Sequence, residues 1–292
     1  EWINPNNDLT LFYNITRANA AVVVLARNSE LYQLLGAMRE LEDRWNKKYN
    51  YPYVFLNDHM WSYPSWINQT KAAESRAEME ANSIIYGGSE SYRHMCRFNS
   101  GFFFQHPLLL PFDYYWRLEP SVNFMCDIDY DPFLFMQKNK LVYGFTISLL
   151  EYQSTIPTLW DAVKQFIKEY PHHISENNTM KFISNDHGST YNLCHFWSNF
   201  EIGDLNFWRT NQYQDFFNYL DKSGGFFYER WGDAPVHSIA VALFAQKSQV
   251  HFFNDIAYYH APFQHCPTEK EYHDSGRCHC DPEQNFGIVL LI

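Results

Sequence analysis

Four carboxylates stand within RLEPSVNFMCDIDYD, residues 117–131: Glu119, Asp127, Asp129 and Asp131, among Leu118, Val122, Phe124, Met125 and Ile128. Asp127-Ile128-Asp129 is an Asp-x-Asp pattern after an apolar run. In a strand, positions i and i+2 project from one face, so both carboxylates would converge on one cation. Hard oxygen donors favour Mg²⁺ or Mn²⁺. Two ionised acids that close repel each other unless a cation lies between them. An exposed strand end carrying two solvated acids fits the spacing equally well.

Other stretches combine reactive side chains with aromatics. In CHFWSNFEIGD (194–204), Glu201 follows a run of rings. A carboxylate there is either satisfied by hydrogen bonds or used chemically. GGFFYERWGDAPVHS (224–238) sets Glu229, Arg230 and Asp233 around Trp231; an ion pair of Arg230 with Glu229 or Asp233 is the simplest reading. His260 closes the aromatic run of DIAYYHAPF, where a lone histidine is more often a core residue than a ligand. GGSESYRHMCRFNSGFFFQHP puts Ser91, Tyr92, Arg93 and Arg97 beside a glycine pair. Cys278-His279-Cys280, with Cys266 and His273, lacks the C-x₂₋₄-C spacing of zinc ribbons, so disulfides are the better reading. Six cysteines leave the pairing open.

These residues need elements to hold them. AAVVVLA (20–26) is a continuous β-branched run, the pattern of a strand buried on both faces. Leu31, Leu34, Leu35, Met38, Leu41 and Trp45 recur at helical spacing, with Asn28 or Ser29 as cap. YPYVFLND then gives a second strand, so the opening is a Rossmann-like βαβ unit. It has no glycine-rich loop, so a diphosphate would need a metal as counter-charge. Helices are predicted over 66–82, TIPTLWDAVKQFIKEYP, QYQDFFNYLDKSGG and DAPVHSIAVALFAQ, and strands over LVYGFTIS and VHFFND. Gly224 and Gly225 stop the third of these helices.

Composition narrows the function. Aromatics are 19% of the residues, enough for the core and for a surface that recognises a nucleobase or sugar ring. A net charge of −11 excludes a phosphate-neutralising nucleic-acid surface and disfavours anionic membranes. No run of 18 apolar residues occurs, so the chain has no membrane span of its own. Sequons at Asn14, Asn68 and Asn177, with the even cysteine count, lean toward an oxidising lumen.

Taken together and in order, YGGSESYRHMCRF, YWRLEPSV, CDIDYD, TIPTLW, CHFWSNFEIGDLNFWR, GGFFYERWGDAPVHSIA and YYHAPF resemble the fungal KTR-type α-1,2-mannosyltransferases, glycosyltransferase family fifteen. The resemblance runs from about residue 18 to about residue 282. It implies the lumenal catalytic part of a type II Golgi membrane protein, with the membrane anchor absent from this chain. The implied fold is α/β and GT-A-type, a mixed central sheet flanked by helices. It forms one domain over 1–292: 18–130 for the nucleotide sugar, 131–265 for acceptor and catalysis, 266–292 an irregular Cys-rich tail. The implied activity moves mannose from GDP-mannose, with retention and Mn²⁺, to a mannose-terminated glycan, N- or O-linked. Glu119 and His260 are the implied metal ligands. Glu201 is the nucleophile or oxocarbenium stabiliser, Asp233 lies near donor and acceptor sugars, and Tyr92 near the donor phosphates. Arg27 opens the guanosine pocket, and Asp127 and Asp129 move to the nucleotide, with Asp129 kept for ribose or metal-bound water. Two other classes remain: a retaining glycosidase using Glu201 and Asp233, and a mannan-binding module without turnover. The chain departs from the family where NDHMWSYP joins two words directly, near Asp58, and in its IVLLI end.

Overall fold

The apolar run at the start is β1, Ala20–Leu25. A helical segment follows, α1, Leu31–Leu41, continued by a π-turn at Glu42–Asn46. Strand β2, Tyr53–Leu56, then pairs parallel with β1, so the βαβ opening is as predicted. The helix entry differs from expectation. Asn28 and Ser29 lie inside a 3₁₀ turn, and Arg27 is its cap, its N–H donating to Glu30 Oε2 at 2.9 Å. This computed structural model describes residues 16–57 and 61–286. The Asp58–His59 junction, the Asn14 sequon and the IVLLI end fall outside them.

Helix α2 is Gln69–Ala81, capped by the Asn68 side chain, and α3 is Glu90–Gly101, capped by Ser89. Strand β3, Tyr114–Arg117, and strand β4, Val122–Phe124, flank the Glu119-Pro120 turn, where Ser121 is left-handed at φ 62°. Asp131 caps α4, Pro132–Lys138, accepting from two backbone N–H groups. LVYGFTIS does not form one strand: it splits into β5, Tyr143–Phe145, and β6, Ser148–Leu150. Next come α5, Leu159–Glu169; β7, Cys194–Phe196; and β8, Glu201–Asp204. Then α6, Asn211–Ser223, ends on Gly224 at φ 79°, a conformation glycine adopts without a Cβ clash. The order closes with α7, Asp233–Phe244; β9, Val250–Phe252; β10, Tyr258–His260; and β11, Phe263–His265.

The main sheet runs β2-β1-β3-β8-β5-β9. β1 is parallel to β2 and β3, β8 is antiparallel to β3 and β5, and β5 is parallel to β9. Both faces are covered. Ala21 and Val23 join a core with Val163, Phe166 and Phe216, whereas Val22 and Val24 pack with Leu34, Leu41 and Trp45. That two-sided burial is why β1 reads as an unbroken apolar run. A smaller antiparallel sheet, β11-β10-β4, and a β6–β7 pair complete it. Disulfides join Cys126 to Cys278 and Cys266 to Cys280, while Cys96 and Cys194 are free and buried.

Candidate functional site

β1 and β3 run parallel, with Arg117 at the end of β3 paired with Val23, near the carboxyl end of β1 at Leu25. Ligands in open α/β sheets bind beyond such carboxyl ends. Arg117 is the centre of the arrangement, its side chain 12% exposed. Its Nε donates to Glu119 Oε1 at 2.6 Å and its Nη1 to Asp233 Oδ2 at 2.6 Å. The same Nη1 lies 4.0 Å from Glu201 Oε1. The β3–β8 register sets Arg117 opposite Glu201, and Asp233 is the first residue of α7. Three carboxylates predicted from separate stretches therefore meet on one guanidinium.

Each acid is held differently. Glu201 is 1% exposed. Its Oε2 accepts from the Tyr143 hydroxyl at 3.0 Å and lies 3.0 Å from His237 Nδ1. His237 Nε2 lies 3.0 Å from the Asn99 carbonyl, so both ring nitrogens face oxygens. Asp233 also accepts from Ser198 Oγ at 2.7 Å. Burial pushes its carboxyl up, but Arg117, His237 and these hydrogen bonds outweigh burial and hold it below its ordinary value. Glu119 goes the other way: burial raises it against the pull of Arg117. Arg117 stays protonated, driven well above its usual value by the three acids, although burial opposes them.

His260 ends β10 and sits opposite Val122 of β4, three residues after Glu119. Its ring meets the edge of Trp197 at 5.0 Å, and its Nδ1 is buried without a hydrogen-bond partner. Burial holds the imidazole below its ordinary pKa, so the neutral, ligating form prevails at neutral pH. A buried imidazole nitrogen with no partner fits a metal ligand, and Glu119, three residues before the strand partner of His260, is an acid of hard character. No cluster of three or more His, Cys, Asp or Glu is preformed among the described residues.

Tyr92 lies in the first turn of α3, and the Arg230 guanidinium sits over its ring at 5.4 Å. Burial raises its hydroxyl well above the usual range, and Asp233 and Glu151 add to the rise. Tyr92 thus lies within electrostatic reach of Asp233. Arg27 follows β1, exposed and paired with Glu30 at 2.7 Å; the charge of Glu30 reaches Glu119. Asp127 and Asp129 do not form the cation pair the spacing suggested. They lie on irregular chain beyond β4, where side-chain alternation no longer applies. Asp127 pairs with Arg44 at 2.6 Å and Asp129 with Arg277 at 3.6 Å, and neither bonds to the Arg117 cluster. The expected pairing of Arg230 is also replaced. Arg230 Nη2 reaches Glu151 at 3.4 Å, and Glu229 accepts from Thr158 and from Trp231 Nε1.

Sequence reasoning missed Arg117, Ser198, Tyr143 and His237. Arg117 and His237 carried a signal: a charged residue closing the apolar strand YYWR, and a histidine inside the apolar helix VHSIAVAL. Ser198 and Tyr143 carried none, because polar-tipped core residues are common.

A mixed sheet with a parallel βαβ opening, acids at its carboxyl edge and helices on both faces is a GT-A-type fold, that of nucleotide-sugar transferases. The chain belongs to the glycolipid 2-alpha-mannosyltransferase family, whose model matches residues 4–60 and 58–290. It is 53% identical to the glycolipid 2-alpha-mannosyltransferase of Saccharomyces cerevisiae, over 92% of this chain and 67% of that protein. Its identity to glycolipid 2-alpha-mannosyltransferase 2 of Candida albicans is 52%, over 92% of this chain and 64% of the relative's length. Core-mannan synthase A of Aspergillus fumigatus, solved in a Mn/GDP form, superposes with TM-score 0.87 at 43% identity, over 94% of this chain and 82% of that one. Ktr4p of S. cerevisiae in complex with GDP gives TM-score 0.88 at 39% identity, over 92% and 77%.

Proposed function

We propose that the chain is a GDP-mannose-dependent, retaining α-mannosyltransferase that adds mannose, in α-1,2 linkage, to mannose-terminated glycans of the secretory pathway. The observation that carries this is the meeting of Glu119, Glu201 and Asp233 on one largely buried arginine. Three carboxyl groups gathered on one guanidinium make a site rich in hard oxygen donors, suited to a divalent cation and to a sugar gaining positive charge. The names of the relatives and the GDP-bound neighbours support the donor, and two disulfides suit an oxidising compartment.

Glu119 and His260 would hold Mn²⁺. Bound there, the ion supplies Lewis-acid neutralisation of charge on the departing diphosphate. Glu201 supports the cationic sugar. Tyr143 and His237 fix its Oε2, which keeps the carboxylate oriented and its other oxygen toward Arg117. Asp233, ionised and clamped by Arg117 and Ser198, orients sugar hydroxyls rather than donating protons. Tyr92, within electrostatic reach of Asp233, aids donor positioning, with Arg27 at the guanosine edge; Asp127 and Asp129, held by Arg44 and Arg277, remain candidates for the nucleotide side rather than for the metal.

The state of Asp233 argues against its serving as the general acid of a glycosidase. A general acid must hold its proton near neutrality, which needs a raised carboxyl. Asp233 is held below its ordinary value. The test is incubation with labelled GDP-mannose, Mn²⁺ and methyl α-mannoside. Formation of an α-linked dimannoside is expected. Release of mannose from the mannoside without nucleotide would favour hydrolysis, and neither reaction would leave a binding module. Glu201→Gln should spare GDP affinity while lowering turnover by roughly 10²–10³-fold or more.

A further inference from the structure

Tyr86 is a non-glycine residue in left-handed backbone, φ 54°, in the loop joining α2 to α3. Its ring stacks on Tyr92, centroids 4.3 Å apart and planes 9° from parallel, and the residue is 57% exposed. A single exposed ring is ordinary. This one is held by its loop. The wholly buried Arg93 donates from Nη1 to the Ser89 carbonyl at 2.9 Å and from Nε to the Glu229 carbonyl at 2.8 Å. Its Nη2 contacts Met79 Sδ at 3.1 Å. Gly87 packs so closely that a Cβ would lie 2.8 Å from the Met79 Cβ. The Tyr86 carbonyl accepts from the Ser89 N–H at 3.1 Å. Arg93 thus ties the Tyr86 loop to the chain that leads through Arg230 to Asp233. Strained backbone kept in place by its surroundings is characteristic of ligand clamps.

Outward from the buried Asp233 segment come the Arg230 guanidinium, the half-buried Tyr92 ring beneath it, and the exposed Tyr86 ring stacked on Tyr92. A saccharide whose terminal hydroxyl reaches Asp233 has its next ring to place further out. A pyranose presents an apolar C–H face, and a rigid tyrosine offers matching area with little entropy to lose. We infer that the exposed face of Tyr86 is a platform for the second ring of the acceptor, so that Tyr86 sets the preference for oligosaccharides over single mannosides. This rests on the transferase reading above.

The test uses the full chain with GDP-mannose and Mn²⁺, and two acceptors, methyl α-mannoside and methyl α-1,2-mannobioside. Tyr86→Gly removes the ring and suits the left-handed backbone, so its thermal midpoint should hold or rise. Its kcat/KM for the two-ring acceptor should fall roughly tenfold more than for the one-ring acceptor, a difference of about 1.4 kcal/mol. Tyr86→Phe should retain the wild-type ratio. Equal losses on both acceptors, or weaker GDP binding by calorimetry, would overturn the platform. Saturation-transfer NMR of the mannobioside reads the contact without turnover. A wild-type protein that transfers nothing yet binds the disaccharide through Tyr86 defeats only the transferase reading. One that transfers but shows no Tyr86-dependent contact defeats only the platform.

Discussion

With Arg117 removed, Glu119, Asp233 and Glu201 would face one another without their shared cation. Breaking a buried pair on one side costs about 3–5 kcal/mol, so Arg117→Ala should lower unfolding free energy by that order in denaturant titration. Arg117→Lys should recover little, since an ammonium cannot span two acids as a planar fork does. A loss under about 1 kcal/mol would mean the acids are solvated instead. His237 acts through Glu201. Losing a hydrogen bond to a charged group costs about 1.5–3 kcal/mol, so His237→Gln should lower kcat roughly ten- to a hundredfold, with little change in GDP affinity. The acids of this centre were legible because each sits in an unusual word: Glu-Pro, Ser-Asn-Phe-Glu, Gly-Asp-Ala-Pro. Their organiser was not. An arginine beside a glutamate reads as a local pair, and only the strand register sets it against Glu201.

At the level of elements, regular periodicity was reliable and interruptions were not. The βαβ opening, α2, α5, α6 and α7 lie where apolar spacing put them. The split of LVYGFTIS is invisible locally, because β5 enters the main sheet while β6 pairs with β7, a distant partner. Asp127-x-Asp129 failed for the same reason: the strand that would align the acids ends at Phe124. The turn into α7 makes a test of element placement. A Cβ on Gly225 would collide with the Trp231 ring, two residues before Asp233. Overpacking of this kind costs about 1–3 kcal/mol, so Gly225→Ala should reduce stability by that amount and depress transfer as Asp233 shifts from Arg117. Normal activity at reduced stability would show that the segment adjusts without moving the acid.

The whole molecule adds a pH term. Burial lowers the imidazoles of His94, His195, His251 and His265 below the ordinary 6.5. Below that value the unfolded chain takes up protons that the folded chain refuses, so stability falls as pH drops. Calorimetric midpoints should therefore decline from about pH 7 to about pH 5.5; a flat profile would show that these rings are accessible. The covalent frame has its own effect. The Cys126–Cys278 bridge spans 152 residues, and replacing both cysteines by serine should cost about 2–5 kcal/mol.

His260 sits opposite Val122, three residues past Glu119, only because β4 and β10 lie side by side, and the bridge just past β4 reaches still further, to residue 278. During biosynthesis, Arg117 and Glu119 leave the ribosome together, well ahead of Glu201, Asp233 and the strand that carries His260. Until that strand has emerged, the two residues proposed as metal ligands cannot meet, so a nascent chain stopped short of it should bind no Mn²⁺ at this corner.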